Sequence, residues 1–274
     1  MIIDSHLHIW RADPTYPNPA TTIMSPVSDV PLALFEEYMA EHQIDRAVFV
    51  QPLYPGEDNS YIADCAASQP NRLAAVCVID PTRAGAPDRL SYWVKERGCR
   101  GLRLRPRAAG QSAIFGHPDS FPLWQRAAEL GTVISVLMGP EHIAALAAVA
   151  ARFPSVPVVV DHLGHPDVTA GVDAPDFQRL LDLATLPNLH IKLSGFYHFT
   201  NVAYPYTDCR PLIQAIYDRF DATRLLWGSD FPHAILKTDY GRTLHVLHRS
   251  GVNFSQADLE LIMGGTALRL YWGG

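Results

Sequence analysis

Short aliphatic and β-branched runs recur from one end of the chain to the other, each followed by a longer stretch with apolar residues at helical spacing. The runs fall at 2–6, 46–51, 73–80, 100–105, 132–137, 156–161, 189–194 and 224–230. Most are nearly continuous in apolar residues, which is the pattern of parallel strands covered on both faces. The stretches between them include "LFEEYMAEH", "DRLSYWVKER", "FPLWQRAAEL", "HIAALAAVAARF" and "PLIQAIYDRF", all with a helical apolar stripe. Strands and helices in alternation over 274 residues predict an α/β fold, a (β/α)8 TIM barrel forming one domain across 1–274. A doubly wound open sheet would ask for a glycine-rich phosphate turn after the first strand, and "HLHIWRADP" has none. Two aperiodic segments, 11–30 and 197–208, read as long loops over the barrel mouth. The tail "SQADLELIMGGTALRLYW" predicts an N-cap at Ser255, a helix, a glycine stop and a second helix that closes the barrel.

Composition narrows the partners. A net charge of -6 argues against nucleic acid and anionic membrane. Cys65, Cys77, Cys99 and Cys209 are far apart and form no CxxC pair, so they read as buried free thiols. With no leader pattern and no apolar run of the ~20 residues needed to cross a bilayer, the expectation is a cytoplasmic protein, monomer or homodimer, acting on a small molecule.

In a barrel the C-terminal strand ends share one mouth, so polar residues there are site candidates. The first strand ends at His6, with His8 beyond. The fourth carries Arg103 and Arg105, the sixth Asp161, His162 and His165, the seventh Lys192 and Ser194, and the eighth Asp230 and His233. A single histidine at a strand end is more often a hydrogen-bonded packing residue than a ligand. So many ionisable groups at one end are another matter, because burying them without a purpose costs several kcal/mol. Residues i and i+2 of a strand point the same way, so His6 and His8 should face the mouth together, with Asp4 on the same side but deeper. The eighth strand closes against the first, which brings Asp230 within reach of both imidazoles. Two readings stay open: His, His and Asp can hold a divalent ion, or the carboxylate can act as general base to a water the histidines orient.

The ordered set "DSHLHIW", "VFVQPLYPGEDNSYI", "RGLRL", "VVVDHLGHP", "HIKLSG", "RLLWGSDFPH" and "GGTALRLY" resembles the amidohydrolase superfamily across nearly the whole chain. Within it the chain is similar to the amidohydrolase-2 branch of L-fuconolactonase-like, 2-pyrone-4,6-dicarboxylate and 4-sulfomuconolactone lactonases. The resemblance implies a hydrolase opening a small lactone. Asp230 would activate water, and His6, His8 and His162 would polarise the carbonyl. Arg103 would bind a substrate carboxylate, with Arg105, Tyr54, Asn59, His165, Lys192 and His198 as further substrate contacts. It leans towards no required cofactor. The alternative is one divalent ion, Zn or Mn, on His6, His8, His162 and Asp230, with His6, His8 and Asp230 as its core. Lys192, on the seventh strand, is expected not to reach His6, so a two-metal centre is not expected. A metal-dependent decarboxylase of an aromatic acid and a non-catalytic ligand-binding barrel are the alternative functions. His165 stands where the dicarboxylate lactonase has arginine, which should favour a less anionic substrate.

Overall fold

The structure, a computed structural model, describes residues 1–11, 13–16, 29–52, 57–106 and 113–273. Tyr54 and most of the 11–30 segment therefore lie outside the described residues. Eight strands form one sheet in sequence order: β1 Ile3–Leu7, β2 Arg46–Val50, β3 Leu73–Val78, β4 Gly101–Leu104, β5 Val133–Val136, β6 Val158–Val160, β7 Leu189–Leu193 and β8 Leu225–Trp227. Every neighbouring pair is parallel. The sheet closes on itself at Leu7 and Phe231. There the Asp230 N–H donates to the His6 carbonyl at 2.8 Å and the His8 N–H to that of Phe231 at 2.7 Å. The expected barrel is what forms. From β2 to β8 the strands end earlier than the apolar runs, because the last residues of those runs leave the ladder to turn towards the mouth.

The helices α1 Leu32–Glu41, α2 Ser60–Ser68, α3 Ala86–Ser91, α4 Ala113–Gly116, α5 Phe121–Leu130, α6 Ile143–Arg152, α7 Pro175–Asp182, α8 Arg210–Phe220 and α9 Tyr240–Arg249 follow the strands. Their apolar stripes and the outward faces of the strands make one large core. A second cluster fills the barrel itself with Ile3, Val48, Val50, Ala74, Val76, Val133, Val159 and Leu226. It is plugged from below by Ala267 and Tyr271 of the last helix. The tail corrects one expectation. Ser255 does cap α10, Gln256–Glu260, by accepting from the Asp258 N–H, but the two glycines do not stop the helix. It runs on as a wide turn, Leu261–Gly265, into α11, Thr266–Trp272. Gly264 sits so close to the Met1 carbonyl that a Cβ would lie 2.6 Å from its oxygen. Thr266 is buried and donates to the Ala222 carbonyl at 3.2 Å, which ties the plug to the foot of β8.

The lip of β1 departs from simple alternation. Ile3 pairs with Arg46, Asp4 with Ala47 and Leu7 with Phe49, three steps on β1 against two on β2, which is a β-bulge. Ile3 belongs to the barrel interior, but Leu7 belongs to the outer core. The extra residue reverses the parity of the strand, and this is what turns His6 and His8 inward. Asp4 lies before the reversal and so faces the other way, accepting from the Tyr240 hydroxyl of α9 at 2.8 Å and the Ser229 N–H at 2.9 Å. The expectation that Asp4 shares the histidines' face is corrected. β8 meets this bulge with Gly228, where a Cβ would come within 2.7 Å of the His6 Cβ.

The four cysteines are free and buried. Among the described residues, no helix is long and apolar enough to cross a membrane.

Candidate active site

Asp230 is the centre of the mouth. Its Oδ1 faces the Nε2 atoms of His8 at 3.4 Å, His6 at 3.7 Å and His162 at 3.9 Å. Its Oδ2 accepts from the Tyr197 hydroxyl and, at 3.2 Å, from His198 Nε2. Burial by itself would raise the pKa of Asp230. The facing His162 ring and the His198 donor outweigh that and hold the carboxyl well below its usual range. Asp230 is therefore ionised at neutral pH.

The imidazoles are fixed from behind. His8 Nδ1 lies 2.7 Å from the Val50 carbonyl, which can only accept, so Nδ1 carries a proton and the ring turns Nε2 to Asp230. His162 Nδ1 meets the Ser194 hydroxyl at 2.8 Å. His6 Nδ1 lies 3.3 Å from Asp161 Oδ1, and its Nε2, fully buried, has no hydrogen-bond partner among the described residues. Burial pushes the His6 pKa down to about 3 and that of His162 well below its ordinary value, so both rings are neutral. Three imidazole nitrogens that face one carboxylate oxygen at 3.4 to 3.9 Å can share a cation or a proton with it. The ligand atoms of His6, His162 and Asp230 lie within 4.8 Å of one another, so this donor set fits a small divalent ion. The leading expectation of no metal finds no support in this geometry. Of the four expected ligands, His6, His162 and Asp230 form this group, and His8 Nε2 lies 3.4 Å from Asp230 Oδ1 beside it.

Beneath the imidazoles lies a buried ionic layer. Lys192 Nζ donates to Asp161 Oδ1 at 3.0 Å and lies 3.2 Å from His6 Nδ1, and Arg103 Nε is 3.5 Å from Asp161 Oδ2. Burial would raise the Asp161 pKa, but Lys192 and His6 outweigh it and hold the carboxyl well below the usual range. The expectation that Lys192 cannot reach His6 is thus wrong: in the closed barrel only β8 separates β7 from β1, and the lysine stem spans that gap. With no exposed surface, Lys192 supports His6 from below instead of meeting a substrate from above.

The remaining candidates divide. His165 is half-buried and stacks on His162 with centroids 5.7 Å apart, and it meets His198 at the same distance with the rings tilted. Arg105 is exposed at the end of β4, whereas Arg103 is buried and leans on Asp161. Asn59 is corrected: it is fully buried, with its amide donating to the Glu57 and Val78 carbonyls and accepting from the Val78 N–H at 2.7 Å. Both amide hydrogens are taken, so it braces β3 and is no substrate contact. Tyr197 was missed in the sequence, where only its neighbour His198 stood out. His233 stacks between His8, at 5.2 Å, and Trp10, at 6.2 Å, with burial pushing its pKa down to about 4.

The backbone is strained here. His162, Leu163, His165 and Asp230 all have φ between 51° and 58°, in the left-handed region that side chains disfavour. Gly195 answers the same turn: at φ +65° it leaves room for the His162 ring, whose Nδ1 would lie 2.6 Å from any Cβ.

The chain is similar to several characterised proteins. It is 29% identical to an L-fucono-1,5-lactonase of Burkholderia ambifaria, over 98% of this chain and 94% of that one. It is 32% identical to a 4-sulfomuconolactone hydrolase of Rhizobium radiobacter, over 84% and 75% of the two chains. A crystal structure of a Burkholderia multivorans amidohydrolase with bound zinc shares the fold at a TM-score of 0.83, with 24% identity over 99% of each chain. Residues 3–272 match the amidohydrolase family profile, Amidohydro_2, and the chain belongs to that family.

Proposed function

We propose that this protein hydrolyses a small lactone, with Asp230 as the base that takes a proton from the attacking water. The observation that carries the reading is the convergence of the His6, His8 and His162 Nε2 atoms on one ionised carboxylate oxygen. The similarity to the fuconolactonase and the sulfomuconolactone hydrolase supports the lactone as substrate class.

In this reading water stands beside Asp230 Oδ1 and its oxygen attacks the lactone carbonyl carbon. The proton released passes to Oδ1. Collapse of the tetrahedral intermediate breaks the bond to the ring oxygen, which takes the proton and leaves as a hydroxyl. The other product is a carboxylic acid, which ionises. A divalent ion held by His6, His162 and Asp230, with His8 beside it, would lower the pKa of a bound water towards ~7 and stabilise the oxyanion. His165 and His198, at the rim, would contact the substrate. Both offer an imidazole in place of a guanidinium, which supports a less anionic lactone.

Purified protein given aldonolactones and muconolactones in a pH-indicator assay should release acid, while aromatic acids should keep their absorbance. Loss of an aromatic acid's absorbance with no lactone turnover would favour the decarboxylase instead, which the same ligand set also serves. Tight binding of an organic acid with neither reaction would favour a binding barrel.

A further inference from the structure

The two oxygens of Asp230 have different neighbours. Among the described residues Oδ1 faces the three imidazole Nε2 atoms, whereas Oδ2 is engaged by the Tyr197 hydroxyl and His198 Nε2. A carboxylate terminating a strand can otherwise turn about its Cβ–Cγ bond, a broad and roughly two-fold torsion. On the Oδ1 side the contacts are looser: the three Nε2 atoms stand 3.4 to 3.9 Å away, and His6 Nε2 has no hydrogen-bond partner among the described residues. The hydrogen bonds that fix the carboxylate come from one turn, Phe196–His198, which follows β7 and is itself set by Gly195 at φ +65°. The same glycine leaves space for His162. One bend thus places an imidazole on one side of the carboxylate and its two donors on the other.

We infer that Tyr197 is a positioning residue. Its hydroxyl holds Oδ2, and so dedicates Oδ1 to a divalent cation or to the attacking water. It is the stronger of the two clamps. His198 is 41% exposed at its side chain and contacts Oδ2 at a longer distance. Tyr197 also packs its ring on that imidazole, with centroids 4.2 Å apart, so the phenol steadies its fellow donor as well. The inference rests on the Oδ1 role assigned to Asp230 above, but its metal arm needs no substrate.

The test is Tyr197→Phe, which keeps the ring and removes one hydroxyl from a partly exposed position. Zinc affinity of the purified protein, measured by competition with a chromogenic chelator, should fall about 10-fold or more, the usual cost of losing a partner that orients a metal ligand. The melting temperature without metal should stay within about 2 °C of wild type, because the ring and its packing are kept. On a lactone that the wild type hydrolyses, kcat should fall with KM nearly unchanged, because the hydroxyl orients Asp230 and does not bind substrate. His198→Gln should weaken zinc less than Tyr197→Phe does. Zinc affinity equal in Tyr197→Phe and wild type, or no zinc uptake by the wild type, would overturn the inference. If lactones are not hydrolysed by the wild type but the zinc affinity still drops in the variant, the functional reading fails and the positioning role stands.

Discussion

Below the level of His6 the barrel is filled by Val48, Val76, Val133, Val159 and Leu226, dry against the plug of α11. One layer higher β4, the end of β6, β7 and β1 turn Arg103, Asp161, Lys192 and His6 inward, all of them buried. The lower layer gains from every methyl group it removes from water, about 25 cal/mol for each Å² of apolar surface. The upper layer gains little by the same measure, since desolvating its charges offsets most of their attraction. What it provides is direction: Lys192 and Asp161 hold His6 at a fixed angle to Asp230. One interior therefore serves two purposes, cohesion below and orientation above.

The comparison can be broken most directly at the top. Asp230→Asn keeps the shape and removes the base, so turnover should fall by about 10²–10⁴-fold or more while the fold survives. Activity within tenfold of wild type, measured beside an unchanged melting curve, would remove Asp230 from the role given to it. Breaking the ionic layer beneath should harm both stability and activity. Lys192→Met leaves Asp161 buried with fewer partners, at a cost of about 3–5 kcal/mol in urea unfolding, and frees His6. In the dry layer, Leu226→Ala should cost about 2–5 kcal/mol through its cavity, yet leave kcat and KM of the folded enzyme nearly unchanged. If Leu226→Ala changes kcat as much as Lys192→Met does, the two layers are not separate in function.

The smallest effect is a pH slope. His190, near the foot of β7, is buried, which pushes its pKa down to about 4, below the ordinary 6.5. Below pH 6.5 the unfolded chain therefore binds more protons than the folded one, and stability is lost as pH falls from 6.5 towards 4. Between pH 7 and pH 5 this single group should cost about 1–2 kcal/mol. His190→Gln should lose correspondingly less over the same interval in urea titrations. An equal loss in variant and wild type would exclude His190 as a source of the slope.

Much of this was legible in the sequence because barrel strands leave a strong mark. A run such as "VPVVVDH" is apolar until it reaches the mouth and then abruptly is not, which located Asp161 and His162 at a strand end. His6, His8 and Asp230 were found in the same way. The positions that were misread depend on distances between strands, which composition does not record. Lys192 reaches His6 because closure of the barrel leaves only β8 between their strands. Asn59, in a turn full of polar residues, serves β3 instead of the mouth. Tyr197 lies in an aperiodic loop, where no spacing rule distinguishes one aromatic from its neighbours. Asp4 was placed on the wrong face because alternation was assumed to continue unbroken, and a one-residue slip alters no pattern of polarity.

That slip in β1 has a consequence for how such a chain can change. It acts as a phase shifter: the first half of the strand is in step with the valine-lined floor, and the second half is half a cycle out of step with it. A sequence shorter by one residue there could keep Ile3 in the floor and every neighbouring strand in register, yet it would swing both imidazoles out among the helices. Length at this point, more than residue identity, separates a barrel with reactive chemistry at its mouth from one sealed by hydrocarbon.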